Sequence, residues 1–273
     1  MKIFSYVLTM ADDVDVLPDA LSSMAHFSDQ VFVVDGMMGS GTLCHHPRYT
    51  TPIEEWIKTR PEYDYDDLEI YGPLDSYTWT ATHRPSRSTL RETTVPLTIW
   101  SNEFKDPAHQ RNFTLDMMSR LSEQPDWIVW IDSDEVCSWE FIDGVRPLLD
   151  SLSDDAEGVY LKWLTLVQDE KHCVEHMSSW LAHPRIHRPT TGRFQGSWHE
   201  HMLIDRSWCV QFDARVIHTR ALFTERLRVQ RGHDGIASGN TPLWADAKMI
   251  DVPSGVTWPA IHWPEGEKET PFK

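Results

Sequence analysis

The chain has 273 residues, 40% of them hydrophobic and 25% charged, a composition typical of a globular protein that buries a sizeable core. Its 42 acidic residues outnumber its 25 lysines and arginines, which gives a formal net charge of −17. This charge argues against a protein that wraps nucleic acid or lies on an anionic membrane. The sequence has no apolar run of 18 residues, and its start, MKIFSYVLTMADD, lacks the apolar core of a signal peptide. We therefore expect a cytoplasmic protein without a transmembrane segment.

The first 42 residues predict a strand, a helix and a second strand. Residues 2–10 form the first strand, and Pro18 suits the first turn of the helix. The second strand, VFVV at 31–34, ends at Asp35 and continues into the glycine-rich turn GMMGSGT. Such a βαβ unit typically opens a nucleotide-binding α/β domain, in which a carboxylate at the strand end accepts hydrogen bonds from a ribose or a base.

Residues 43–95 predict a long irregular insert. They contain five prolines and no clear hydrophobic period. A segment of this length inside a compact domain is typical of a functional loop or a lid. A strand, VPLTIW at 95–100, follows the insert.

A helix is predicted after Asp106, which suits an N-cap, with Pro107 in the first turn. Its apolar positions are Phe113, Met117 and Leu121. Arg111 lies in the first two turns, and the next strand follows closely along the chain. We therefore expect Arg111 to face the end of that strand, where an arginine offsets carboxylate or phosphate charge. A surface salt bridge is the alternative.

The strand at 127–131, WIVWI, predicts burial on both faces, as in a parallel sheet covered by helices. It continues directly into Asp132, Ser133, Asp134 and Glu135. Three carboxylates at the end of a buried strand repel one another and lose hydration, and a divalent metal compensates for both effects. Oxygen ligands of this kind suit Mg²⁺ or Mn²⁺. An ordinary aspartate-rich turn is the alternative.

The remaining elements alternate between helices and strands. The first of them is a helix capped by Ser138, and a strand at 158–166 follows it. Next come a polar loop at 169–179 and a short strand at 183–188 with its basic residues to one side. These are followed by the segment SWHEHML at 197–203, by a strand at 215–218 that ends on His218, and by a basic helix at about 223–237. Beyond residue 241 the chain is rich in proline and tryptophan.

Several segments of the chain, taken in order, resemble the GT-A-fold glycosyltransferases of the family-2 type. They are VVDGMMGSGT, DPAHQRNFTLDM, DWIVWIDSDE, HPRIHR with WHEHML, and VIH. The resemblance is strongest to bacterial lipopolysaccharide-core and related sugar transferases, and it covers roughly residues 1–235. It implies a Rossmann-like α/β fold, with a mixed, mainly parallel sheet flanked by helices. The implied organisation is a single domain over 1–240 with 43–95 as an insert or lid, followed by a tail over 241–273. The turn after Asp35 lacks the second aspartate common in the family.

The resemblance implies roles for five residues in binding the donor. Asp35 would hold the nucleotide base or ribose, and Asp132 would contact the ribose or the sugar. Asp134 would ligate Mn²⁺ or Mg²⁺, which bridges the diphosphate, and His218 would complete the metal site. Arg111 would lie near the acidic turn.

The resemblance also places Glu200 where a carboxylate that activates the acceptor is expected. An inverting reaction needs a base on the face opposite the leaving group. Glu170 and Asp169 are further candidates for the base, and roles for His199 and His201 stay open.

The predicted function is therefore a metal-dependent glycosyltransferase that uses a nucleotide-sugar, with UDP-sugars the commonest donors of the family. A nucleotidyltransferase is an alternative, although it would need a glycine- and lysine-rich loop where residues 11–16 are acidic. A non-catalytic nucleotide- or sugar-binding protein on the same scaffold is another. The acceptor stays open among a glycan or lipid-linked sugar, a protein, a small molecule and a modified nucleic-acid base.

Overall fold

A computed structural model of the protein describes residues 1–9, 17–38, 63–71, 77–83, 95–167, 169–174, 183–196, 201–219, 249–259 and 261. The helices in these ranges are α1 (Leu17–Ala25), α2 (Pro107–Met118) and α3 (Trp139–Ser151). The strands are β1 (Ile3–Thr9), β2 (Gln30–Met38), β3 (Tyr63–Tyr71), β4 (Tyr77–His83), β5 (Val95–Phe104), β6 (Trp127–Asp132), β7 (Glu135–Cys137), β8 (Gly158–Val167), β9 (Asp169–Val174), β10 (Ile186–His187), β11 (Phe194–Gln195), β12 (His201–Met202), β13 (Cys209–His218) and β14 (Met249–Asp251).

The centre of the fold is a four-stranded parallel sheet in the order β6–β1–β2–β5. Its side chains alternate between two apolar clusters, one on each face. On β1, Ile3 and Val7 belong to the first cluster, whereas Phe4 and Tyr6 belong to the second. Helices α1 and α3 cover the first cluster, and α2 covers the second. The predicted α/β class is therefore confirmed.

The order of the strands reverses at β1. The chain proceeds from β1 to β2 and β5 on one side and then places β6 on the other side of β1. Parallel strands end at the same edge of a sheet, and here Thr9 lies opposite Asp35 while Leu8 lies opposite Asp132. Open α/β sheets bind their ligands beyond the carboxyl ends of the strands at such a reversal. The acidic residues after β6 lie at this edge.

Mostly antiparallel strands extend the sheet on both sides. β10 lies between β6 and β8, and β9 and β14 continue beyond β8. On the other side, β4 and β3 continue from β5. β13 pairs parallel to β8 and antiparallel to β7, so the carboxyl end of β13 lies beside the residues that follow β6.

Two segments that we expected to be irregular contain strands. β3 and β4 lie inside the insert at 43–95 and form a hairpin on β5, and β9 lies inside the segment at 169–179. Strands towards the edge of a sheet tolerate charged residues, so sequences such as YDYDDLEIY and DEKHCV lack the apolar run of a central strand. The predicted basic helix at 223–237 lies outside the described residues. The domain division at residue 240 stays a prediction. Strand β14 lies within the predicted tail at 241–273, and it pairs with β9 of the preceding domain.

Both predicted helix caps are confirmed. The side chain of Asp106 accepts a hydrogen bond from the backbone N–H of His109 at 2.7 Å, and the hydroxyl of Ser138 accepts one from the N–H of Phe141 at 3.3 Å. The buried residues of α2 are Ala108, Gln110, Arg111, Thr114, Leu115 and Met118, whereas the predicted apolar positions Phe113, Met117 and Leu121 are only half-buried. The helix therefore buries three polar side chains beside the three apolar ones that pack on the second cluster. Within the described chain, the helices are too short or too polar to cross a bilayer.

Candidate active site

The acidic turn, residues 132–135, connects β6 to β7. Ser133, Asp134 and Glu135 are buried, whereas the Asp132 side chain is 39% exposed. A charged carboxylate that loses hydration needs a cation or a hydrogen-bond donor beside it. The turn therefore has one carboxylate that reaches solvent and two that depend on protein neighbours.

Arg111 reaches the acidic turn from α2. Its Nη2 donates to Oδ1 of Asp132 at 2.7 Å, and its side chain is buried. Gln110 fixes the same end of the helix, because its Nε2 donates to the carbonyl oxygen of Val34 on β2 at 2.7 Å. Arg111 thus lies beside the acidic turn, and its role towards a ligand stays a prediction.

A second arginine, Arg185, contacts the turn from the residue before β10. Its Nη2 lies 2.6 Å from Oε1 of Glu135 and 3.5 Å from Oδ2 of Asp132. Both guanidinium groups lie against the indole of Trp130, with the Cζ atoms of Arg111 and Arg185 at 4.0 and 3.9 Å from the ring centroid. The segment HPRIHR predicts a basic strand, but it does not indicate which strand lies beside it in the sheet. The sequence alone therefore does not assign Arg185 to the site.

Burial and the two arginines act in opposite directions on the carboxylates. Partial loss of hydration tends to raise the pKa of Asp132, but Arg111 and Arg185 together outweigh it and hold that pKa below its usual value. At Glu135 burial outweighs the attraction of Arg185 and raises the pKa to about 7. Asp132 is therefore ionised at neutral pH.

Asp134 lies beside His218, the last residue of β13. Oδ2 of Asp134 and Nε2 of His218 are 3.3 Å apart, and both side chains are largely buried. The antiparallel pairing of β13 with β7 produces this contact by placing His218 opposite Glu135. The carbonyl oxygen of Asp134 also accepts hydrogen bonds from the N–H and the hydroxyl of Thr219, at 2.8 and 2.9 Å. The structure thus brings together the two predicted metal ligands, whose role stays a prediction.

These two side chains fit a divalent cation. Metal–ligand bonds of about 2.1 Å place neighbouring donor atoms of an octahedron about 3 Å apart, close to the 3.3 Å between Asp134 and His218. Carboxylate oxygen suits Mg²⁺ and Mn²⁺, and imidazole is a common metal ligand. In the described part of the chain, no group of three or more His, Cys, Asp or Glu residues is arranged to hold a metal. Mg²⁺ usually takes further ligands from water and substrate phosphates.

Two predicted site residues lie partly or wholly outside the described structure. The backbone of Asp35 ends the parallel pairing of β2 with β1, while its side chain is not among those described. Glu200 and His199 lie outside the described residues. The next residue, His201, begins β12, and its ring centroid is 6.3 Å from that of His183. His201 therefore lies close to the residues that precede β10.

The other candidates for the base lie on β9. Glu170 is exposed there, and the side chain of Asp169 is outside the described set. Two strands, β8 and β10, separate β9 from β6. The role of Glu170 as a base stays a prediction.

Neither the protein-family models nor the curated proteins include a match to this chain. Among solved structures, the chain is similar to TarS of S. aureus, a glycosyltransferase, at 14% sequence identity and a TM-score of 0.36. The similarity covers 69% of this chain and 28% of TarS, less than a third of its length. A TM-score of this size does not relate two folds.

Proposed function

We propose that the protein is a metal-dependent glycosyltransferase that moves a sugar from a nucleoside-diphosphate donor, with UDP-sugar the expected donor, to an acceptor hydroxyl with inversion. One observation carries the proposal: the acidic turn lies at the carboxyl end of β6, beside the strand where the sheet order reverses, with Asp134 next to His218. Ligands bind at this place in open α/β sheets. The resemblance of WIDSDE and QRNF to glycosyltransferase motifs supports the same function.

The charge balance of the site favours a cation shared with an anionic ligand. The acidic turn carries three carboxylates, and Arg111 and Arg185 supply two guanidinium groups. When fully ionised, this cluster has one net negative charge, which a divalent cation would reverse to match a diphosphate. Asp134 and His218 would hold the cation, whose chemistry when bound is Lewis-acid stabilisation of the leaving phosphate.

The other residues would bind the donor and move a proton. Asp132, which is ionised and partly exposed, would accept hydrogen bonds from hydroxyls of the ribose or the sugar. Asp35 would do the same for the base or the ribose. The acceptor hydroxyl must lose its proton as it attacks the anomeric carbon, and Glu200 is the candidate base.

A thermal-shift screen with Mn²⁺ against UDP, GDP, dTDP and CDP tests the donor site. A ligand at a hundred times its dissociation constant stabilises a protein by about 2.7 kcal/mol, so we expect one nucleotide to raise the melting temperature when Mn²⁺ is present. Asp134→Ala should abolish the shift. Asp126→Ala is the matched control. Asp126 is exposed and precedes the first residue of β6, at the end of the strand away from the acidic turn, where its carboxylate accepts a hydrogen bond from the backbone N–H of Lys2.

No shift with any of the four nucleotides would contradict the proposed donor site. Turnover separates an enzyme from a binding protein on the same scaffold. We expect Mn²⁺-dependent hydrolysis of UDP-glucose that Asp134→Ala abolishes and Asp126→Ala retains. A Mn²⁺-dependent thermal shift without turnover of any sugar nucleotide would instead favour the binding protein.

A further inference from the structure

Arg185 is buried and is held by contacts of both its backbone and its side chain, unlike the arginine of a surface ion pair. Its backbone N–H donates to the carbonyl of Val159 on β8, and its own carbonyl accepts from the N–H of Trp130 on β6, both at 3.0 Å. Its side chain is 6% exposed, and the guanidinium lies on the Trp130 indole. The strands on both sides therefore fix the backbone position of Arg185, and the indole packs against its guanidinium group.

Glu135 uses both carboxylate oxygens to hold the same assembly. Its Oε1 accepts from Nη2 of Arg185 at 2.6 Å, and its Oε2 accepts from the backbone N–H of Asp132 at 2.8 Å. The Glu135 side chain is 1% exposed. Glu135 thus links the guanidinium group directly to the backbone on which the Asp132 carboxylate is mounted.

The Asp132 carboxylate is held through both of its oxygens. Arg111 donates to Oδ1 at 2.7 Å, and Arg185 donates to Oδ2 at 3.5 Å. Both arginines are buried, whereas the Asp132 side chain is 39% exposed. A half-exposed aspartate without such partners would sample several rotamers in solvent.

From these contacts we infer that Arg185, braced by Glu135, is a positioning residue that holds the Asp132 carboxylate in the orientation in which it meets the donor. The inference rests on the proposed function, because Asp132 is the group assigned to the ribose or the sugar. On this inference Arg185 acts through Asp132, to which its Nη2 donates. Replacing a residue that orients a metal ligand typically costs about 10- to 100-fold in affinity or activity, and we expect an effect of the same order for a residue that orients Asp132.

The chain contains a matched control in Arg188. Its guanidinium also lies on an indole, with Cζ 3.9 Å from the Trp127 ring centroid. Its hydrogen bonds run to the carbonyl oxygens of Ala156 and Asp126, at 3.2 and 3.5 Å, which lie towards the opposite edge of the sheet. Arg188→Lys therefore reproduces the loss of a stacked guanidinium without touching the acidic turn.

The test is a double-mutant cycle on the binding of UDP in the presence of Mn²⁺, measured by titration calorimetry. The variants are Arg185→Lys, Asp132→Ala and their combination, with Arg188→Lys as the control. Lysine keeps the positive charge but lacks the planar group that lies on the indole and reaches two carboxylates. We expect Arg185→Lys to raise the dissociation constant about tenfold or more and Arg188→Lys to leave it unchanged.

In the Asp132→Ala background, Arg185→Lys should cause no further loss, because the group that Arg185 orients is gone. A purely structural Arg185 would lower the urea midpoint but not produce this coupling. If Arg185→Lys weakens UDP binding no more than Arg188→Lys does, or if its effect adds fully to that of Asp132→Ala, the inference is wrong while the proposed function stands. If the wild-type protein binds none of the nucleotides with Mn²⁺, the proposed function fails and the role of Arg185 fails with it.

Discussion

His187 offers a direct test of how burial controls protonation in this fold. Its side chain is fully buried on β10, with Nδ1 2.8 Å from the carbonyl oxygen of Arg188. A carbonyl only accepts, so Nδ1 carries the proton of the neutral ring. Nε2 is buried and has no hydrogen-bond partner among the described residues. Protonation there would place an unsolvated charge inside the sheet, and burial accordingly lowers the pKa of His187 to about 4.

This lowered pKa makes stability depend on pH in a defined direction. The unfolded chain takes up a proton near pH 6.5, whereas the folded protein does so only near pH 4. The unfolded state therefore binds more protons in this window, and stability falls as the pH falls through it. At about 1.4 kcal/mol per pH unit, the full effect is about 3 kcal/mol, of which about 2 kcal/mol is lost between pH 7.5 and pH 5.

The assay is urea unfolding of the wild type and His187→Asn at pH 7.5 and pH 5. Asparagine never becomes charged in this range, and its amide N–H is able to donate to the carbonyl of Arg188. We expect the wild type to lose about 2 kcal/mol more than the variant between the two pH values. The difference between the two pH changes removes the fixed cost of the substitution and the titration of other groups. Equal pH changes would show that the ring protonates in the folded protein near its ordinary pKa.

Two further predictions concern the acidic turn. The pKa of Glu135 is raised to about 7, so its contribution to stability is full below pH 4.5 and is lost as the pH rises through 7. In urea unfolding with EDTA, Glu135→Gln should therefore lose less stability than the wild type between pH 5 and pH 8, and parallel curves would contradict this. Thr219→Val removes the 2.9 Å hydrogen bond from the hydroxyl to Asp134 and should cost about 1 kcal/mol in urea unfolding. A stability equal to that of the wild type would show that the N–H of Thr219 holds the turn alone.

The sequence by itself determined the elements whose signals lie within a few residues of one another. The run WIVWI predicted a strand buried on both faces, and β6 is buried in this way. Asp106 and Ser138 predicted the starts of two helices, because an N-cap needs only a side chain that accepts from a backbone N–H three residues later. Together with the βαβ start, these local signals were enough for the α/β class and for the position of the acidic turn.

Only the tertiary structure decided which distant residues meet at that turn. Arg185 and Glu135 are 50 residues apart in sequence, and they meet because β10 inserts antiparallel between β6 and β8. His218 reaches Asp134 because β13 pairs with β7, a contact that the family resemblance suggested but no local pattern contains. Strand order and register depend on how the whole sheet packs, since each strand has several partners that its own sequence would accept. The carboxylates were therefore visible in the sequence, and most of the groups that hold them were not.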